Sequence, residues 1–255
     1  MTSRKTILAA NWKMNFLSEE AAQITEAILP DCRDSKRTEV WLAPQTLGIP
    51  AVSRVLDGAK NIRLGAQNCH WEKSGAFTGE ISAPMLKEFG CTFAIVGHSE
   101  RRWVFGESAL TCATRAIGAV NEGLDVIFCV GETRDDREGG RTIEALREQL
   151  KPLFYESGVV EKVEQIIIAY EPVWAIGALT PAEPERIVDT HCEIADMFIK
   201  VGIKKVPPIL YGGSVSTDNF AKILKLPGVA GSLIGRASWS AEGIRQLLEI
   251  AESIS

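Results

Sequence analysis

The sequence predicts a single α/β domain over residues 1–255, built as a (β/α)8 barrel. Three observations lead there. Eight short apolar or β-branched runs recur along the chain, segments with helical spacing lie between them, and no Pro/Gly/Ser linker or change of composition divides the sequence. The runs are Thr6 to Ala10, Val40 to Ala43, Ile62 to Ala66, Thr92 to Val96, Val126 to Val130, Ile166 to Tyr170, Ile209 to Tyr211 and Ser232 to Ile234. They lack apolar/polar alternation, as expected of parallel strands covered on both faces. Helical spacing with start signals marks Ser18-Glu19-Glu20 before Ala21 to Leu29, then Ala109 to Glu122, Arg141 to Tyr155, Ile187 to Ile199 and Ala241 to Glu252. A doubly wound sheet is the alternative architecture, but no G-x-G-x-x-G follows the first strand.

Composition excludes several classes. With 45% hydrophobic and 24% charged residues the chain reads as globular, and a net charge of -5 supplies no broad positive field for nucleic acid. The first apolar run, Ile7 to Ala10, is too short for a signal-peptide core, and nowhere do ~18 apolar residues follow one another. Neither secretion nor a membrane partner is expected. The six cysteines lack C-x-x-C spacing, so neither a disulfide framework nor a metal site is suggested and a cytoplasmic location with reduced thiols is expected.

In such a barrel the residues just after each strand meet at one end, so polar residues there call for a functional reading. The first strand ends Asn11-Trp12-Lys13, the third Gln67-Asn68, the fourth His98-Ser99-Glu100-Arg101-Arg102 and the sixth Glu171-Pro172-Val173-Trp174. A lysine at a strand end is ordinarily solvated and a histidine can be a packing residue, yet together these ends bring a cation, an imidazole and two carboxylates to one rim. Tyr211-Gly212-Gly213-Ser214 after the seventh run and Gly235-Arg236-Ala237-Ser238 after the eighth are glycine-rich, as a phosphate cradle of backbone N–H groups requires. A plain tight turn would also favour glycine. Base, imidazole, lysine and phosphate cradle together describe proton transfer on a small phosphorylated sugar.

Seven stretches carry a resemblance: Asn11-Trp12-Lys13-Met14-Asn15, Gly65-Ala66-Gln67-Asn68, Gly75-Ala76-Phe77-Thr78-Gly79-Glu80, Gly97-His98-Ser99-Glu100-Arg101-Arg102, Cys129-Val130-Gly131-Glu132-Thr133, Ala169 to Gly177 and Tyr211 to Val215. In order and spacing they resemble the triosephosphate isomerase family. The resemblance implies an isomerase of glycolysis and gluconeogenesis that needs no cofactor or metal. It implies Glu171 as the base moving a proton between adjacent carbons and His98 as a neutral electrophile at the carbonyl oxygen. Lys13 would stabilise the enediolate, with Asn11 orienting nearby and Ser99 and Glu100 supporting these groups, although Glu100 could equally pair with Arg101 or Arg102. Gly177, Ser214, Gly235 and Arg236 would hold the phosphate. Cys129 reads as a small buried hydrophobe. The Gly75 to Glu80 segment resembles a loop that inserts into a partner subunit, so Phe77 and Thr78 imply a homodimer against the alternative of a self-packed surface loop.

Two departures bear on substrate. Where the family's lid continues with Thr-Gly-Lys-Thr, this chain reads Ala178-Leu179-Thr180-Pro181. Thr180, Pro181 and Glu183 form a capping-box pattern that predicts an early helix and a lid about three residues short. Glu183-Pro184 is a rival start. Arg236 stands where the family usually has a second glycine, adding a donor fork at the anionic end. The Gly-Arg pair and altered lid look similar to relatives acting on four-carbon ketose phosphates, so erythrulose phosphate stays beside glyceraldehyde 3-phosphate as a candidate substrate. A Schiff-base aldolase using Lys13 and a non-catalytic phosphate-binding barrel are the readings from other classes. Glu132 to Arg141 reads as a solvated helix start.

Overall fold

Each apolar run becomes a strand in the computed structural model, which describes residues 5–155, 162–177 and 181–254. The strands are β1 (Thr6–Asn11), β2 (Thr38–Ala43), β3 (Ile62–Ala66), β4 (Phe93–Val96), β5 (Asp125–Val130), β6 (Ile166–Tyr170), β7 (Ile209–Tyr211) and β8 (Gly231–Ile234). All pair in parallel in sequence order, and β8 returns to β1 to close the barrel. Closure gives every strand two neighbours, so no edge is left to pair elsewhere.

Alternate side chains divide between two cores, because successive residues of a strand point to opposite faces. Ile7, Ala9, Trp41, Ile95, Ile127 and Ile167 are among those filling the interior, while Leu8, Val40, Leu42, Val96, Phe128 and Ile168 pack outward against the helices. Inside, Phe93 lies 4.8 Å from Trp41 between ring centroids. Gly65 makes that possible, since a Cβ there would come within 2.4 Å of the Phe93 ring. Below them Arg63 stacks over Trp41 at 4.0 Å and pairs with Asp125 at 2.8 Å, plugging the end at which the strands begin. With that end filled, the opposite rim is the one open to a ligand.

Among the described residues ten helices follow: α1 (Ser18–Asp34), α2 (Ile49–Val55), α3 (Ala83–Glu88), α4 (Ser99–Trp103), α5 (Ala109–Asn121), α6 (Arg134–Glu138), α7 (Thr142–Tyr155), α8 (Pro184–Lys200), α9 (Thr217–Leu224) and α10 (Ala241–Ser253). The unanticipated ones, α2, α3, α4 and α9, span eight residues or fewer, too few for a 3.6-residue period to show. At α1 the cap is Leu17, whose N–H donates to the Glu20 carboxylate at 2.7 Å; Ser18 is already helical and donates its hydroxyl to Leu47 O at 2.7 Å. The helix also runs through Pro30, where the apolar spacing had suggested an end, because Ile28 and Cys32 on either side are both buried.

Two further expectations are corrected. The α8 helix begins at Pro184 with Glu183 at the cap, so the rival start is the real one and the helix does not begin early. Proline at the first helical position has no N–H to leave unpaired and an already helical φ. The Ala182 N–H just ahead donates to the Tyr211 hydroxyl at 2.9 Å, tying this approach to β7; Thr180 lies outside the described residues. In the run from Glu132 to Arg141, α6 does start in solvent with a Thr133/Asp136 capping box, but Glu132 itself is fully buried.

Candidate active site

The strand ends deliver Asn11, Lys13, His98, Glu171, Gly177, Ser214, Gly235 and Arg236 to the wall of one cavity of about 580 Å³ at the open rim. Each arrives for a local reason. Lys13 sits at φ 51, in the left-handed region that a residue with a Cβ rarely occupies. Several contacts hold it there: its N–H donates to Asn11 Oδ1 at 3.0 Å and its carbonyl accepts from Gln67 Nε2 at 2.8 Å. Its Nζ pairs with Glu100 Oε1 at 2.7 Å, whereas Arg101 pairs with Glu107 at 2.7 Å and Arg102 is buried with its donors on Gly97 O and Cys129 O. Glu100 therefore anchors the lysine.

His98 caps α4, and its Nδ1 accepts the Glu100 N–H at 3.2 Å. Its Nε2 faces Glu171 Oε1 at 3.0 Å, and Glu171 Oε2 accepts the Ser99 N–H at 2.9 Å. Burial, the largest influence on the carboxylate, disfavours its charge, but His98, the Ser99 N–H and Lys13 outweigh it and hold the Glu171 carboxyl below the usual range. On His98 burial favours the neutral ring, but the Glu171 carboxylate, with Glu100 Oε2 3.6 Å from Nδ1, outweighs it and raises the ring's affinity for a second proton above the ordinary value. Nδ1 accepts the Glu100 N–H and Nε2 faces Glu171, so in the neutral ring the proton sits on Nε2, aimed at Glu171.

Several groups that shape this end carry no signal in the residue pattern alone. Gly131 lets the Glu171 backbone pass, since a Cβ there would meet Glu171 O at 1.7 Å, and a Cβ on Gly212 would come within 2.8 Å of Glu171 Cγ. Gln149 clamps Gly131 from both sides, accepting its N–H at 2.9 Å and donating to its carbonyl at 2.8 Å. Buried Glu132 accepts from Trp174 Nε1 at 2.8 Å and from the Tyr170 hydroxyl at 3.1 Å, fixing the turn that follows Glu171. Burial pushes its carboxyl above the usual range despite those donors. Cys129 lies in the barrel interior beneath Glu171, and burial drives its thiol far above the ordinary value.

The other end of the cavity is built from backbone. Ser214 donates its hydroxyl to Ala175 O at 2.8 Å, Gly177 has φ 71, and Gly235 precedes a short 3-10 helix over Arg236–Ser238. Arg236 projects from the start of that helix and is exposed.

Phe77 and Thr78 are not part of this cavity. Both are exposed on their loop, though the Phe77 ring lies 4.1 Å from His70, which in turn stacks on Trp71 at 4.0 Å. Glu80 anchors the loop by a two-pronged pair with Arg115 at 2.7 and 3.0 Å. A second cavity of about 350 Å³ lies beside the first, sharing Asn11, Lys13 and His98 with it and reaching Met14 and Phe105.

Comparison with known proteins agrees with this geometry. The triosephosphate isomerase family model matches residues 6–252. Curated relatives named triosephosphate isomerase include one from Aquifex aeolicus, 40% identical over 96% of this chain and 98% of the relative. Another, from Methylococcus capsulatus, is 42% identical over 99% of each, and one from Prosthecochloris aestuarii is 41% identical over 98% of this chain and 99% of its own. This eight-stranded barrel, carrying a carboxylate, an imidazole and a lysine on one rim and matched by a single family model over nearly its whole length, belongs to the triosephosphate isomerase family.

Proposed function

We propose that this protein interconverts glyceraldehyde 3-phosphate and dihydroxyacetone phosphate by proton transfer between adjacent carbons. The observation that carries this reading is the convergence of Glu171, His98 and Lys13 on one cavity whose far end is lined by glycine backbone. Glu171 takes the proton from the carbon beside the carbonyl, the C–H electron pair becomes the C=C bond of the enediolate, and the carbonyl oxygen gains the negative charge. His98 Nε2–H donates to that oxygen and Lys13 Nζ faces the same charge. His98 gives its Nε2 proton to that oxygen and takes the proton of the neighbouring hydroxyl, and as that second oxygen becomes the carbonyl, Glu171 returns its proton to the former carbonyl carbon, so no other reactant is needed. Since Glu171 and His98 stand only 3.0 Å apart, substrate must part them, and both then act on it instead of on each other.

At the anionic end, backbone groups of Gly177, Ser214, Gly235 and Arg236 hold the phosphate, with Asn11 beside Lys13. The relatives given above are all named triosephosphate isomerase, and among the described residues no contact in the cavity favours a four-carbon ketose phosphate. Parallel assays of the purified protein on glyceraldehyde 3-phosphate and on erythrulose phosphates test this; a kcat/KM on an erythrulose phosphate at least about tenfold the higher would overturn it. The same reading puts the enzyme in the cytoplasm, where free thiols persist.

The enzyme works as a homodimer. Exposed Phe77 and Thr78, together with exposed Met14, Leu17, Leu47 and Phe105, support this, as does the second cavity beside Lys13. Thr78→Arg would bury an unpaired charge in the partner, and light scattering should show the molecular mass fall towards that of one chain. An unaltered dimer would reject this loop as the contact.

A further inference from the structure

Charge balance in the main cavity singles out one side chain. The ionisable residues on its wall are Lys13, His98, Glu171, Arg236 and Glu242. Lys13 is neutralised by Glu100 at 2.7 Å, and His98 faces Glu171 at 3.0 Å. Glu242 accepts from Gln246 Nε2 at 2.7 Å and has Arg245 at 4.0 Å. Of these five, Arg236 alone has neither a side-chain hydrogen bond nor a counter-ion among the described residues, yet its guanidinium is charged. Arg236 shares the wall with Ser214 and follows Gly235, where a Cβ would come 3.6 Å from Lys13 Cε.

Resting on the isomerase reading above, we propose that the side chain of Arg236, beyond its backbone N–H, binds the substrate's phosphate dianion and sets the enzyme's preference for dianionic substrates. Its planar fork matches two phosphate oxygens, and as the one uncompensated charge on the wall it draws a dianion towards a chain whose overall field repels it. Arg236 is a binding and specificity residue: it acts before the proton moves, so its removal separates KM from kcat.

The test uses the full-length parent, Arg236→Ala and Arg236→Lys, each checked for a parental circular dichroism spectrum. Two quantities are read: kcat and KM on glyceraldehyde 3-phosphate at rising salt, and the Kd of inorganic phosphate by calorimetry. For Arg236→Ala, KM and the phosphate Kd should both rise about tenfold while kcat falls less than threefold, and kcat/KM should lose much of its salt dependence. Arg236→Lys should keep the salt dependence and recover part of the affinity, since it retains the charge without the fork. A KM and a phosphate Kd within twofold of the parent would show that the backbone suffices and overturn the inference. The two readings fail separately. Phosphate binding that depends on Arg236 in a protein without turnover would sink the isomerase assignment alone, whereas full turnover with unaltered binding in Arg236→Ala would sink only the role of the arginine.

Discussion

The two ends of the cavity are built on opposite electrostatic plans. Around Glu171 every charge has a partner: Glu171 is almost wholly buried and lies against His98 and the Ser99 N–H, and Lys13 is tied to Glu100. Around Ser214 and Gly235 the wall mixes backbone with Asn219, Trp239 and Glu242, and the exposed Arg236 guanidinium has no counter-ion among the described residues. The contrast follows from the tasks. A base that must reach a carbon-bound proton works best stripped of water and held to within a fraction of an ångström, and a buried charge is tolerable only when paired. A cradle for a dianion must instead present positive potential that nothing inside the protein has already neutralised.

Three substitutions probe that contrast, beginning with the largest effect. Glu171→Asp retracts the carboxylate by one methylene from a position fixed by Ser99 and by the close packing of Gly131 and Gly212. We expect kcat to fall about 100-fold or more with KM within threefold, because the lost contact exists only in the transition state. A large rise in KM with kcat preserved would mean that the paired end binds substrate and does not perform the chemistry. His98→Asn should leave a folded protein, by circular dichroism and thermal melting, with kcat reduced about 100-fold through loss of the donor at the carbonyl oxygen. If the variant melts far below the parent but keeps its activity per folded molecule, His98 is a packing residue.

The smallest effect comes from a second buried histidine that lacks any carboxylate. His191, on α8, meets only the Gly228 carbonyl at 3.2 Å and the edge of Tyr170, and burial pushes it down to about 4. Since the fold holds this ring neutral, its contribution to stability is complete above the unfolded value near 6.5 and drains away as pH falls towards 4. Stability of the parent should therefore drop over that window by about 2 kcal/mol more than that of His191→Gln, measured by denaturant melts at several pH values. Equal losses in the two proteins would show that burial alone does not govern this ring. Such an outcome would sharpen the case for Glu171 as what distinguishes His98.

How much of this was legible beforehand depended on whether a feature is local. Strands such as Ile166–Tyr170 announce themselves because five successive buried residues leave an apolar run that no half-exposed segment tolerates. Helices such as α4 and α9 stayed hidden, being too short to develop a period. The start of α8 was legible in duplicate, as Thr180-Pro181 and as Glu183-Pro184, and both are sound local signals. Glu132 misled for the reverse reason: it heads a run of mixed charge, yet Trp174 and Tyr170, about forty positions away, supply the donors that let it be buried.

The sequence by itself therefore determined the eight-stranded alternation and the rim positions of Lys13, His98, Glu171 and the glycine-rich ends. Hydrophobic runs and strand-end residues are properties of contiguous chain, and motif order places them on one family's scaffold. Only the tertiary structure decided that Glu100 belongs to Lys13 and not to its neighbouring arginines, that Gly131 and Gly212 exist to admit Glu171, and that Arg236 is left without a counter-ion. Those are statements about which groups, separated by tens of residues, come within a few ångströms of each other. Partner choice among several equally plausible charges depends on the distances that barrel closure imposes.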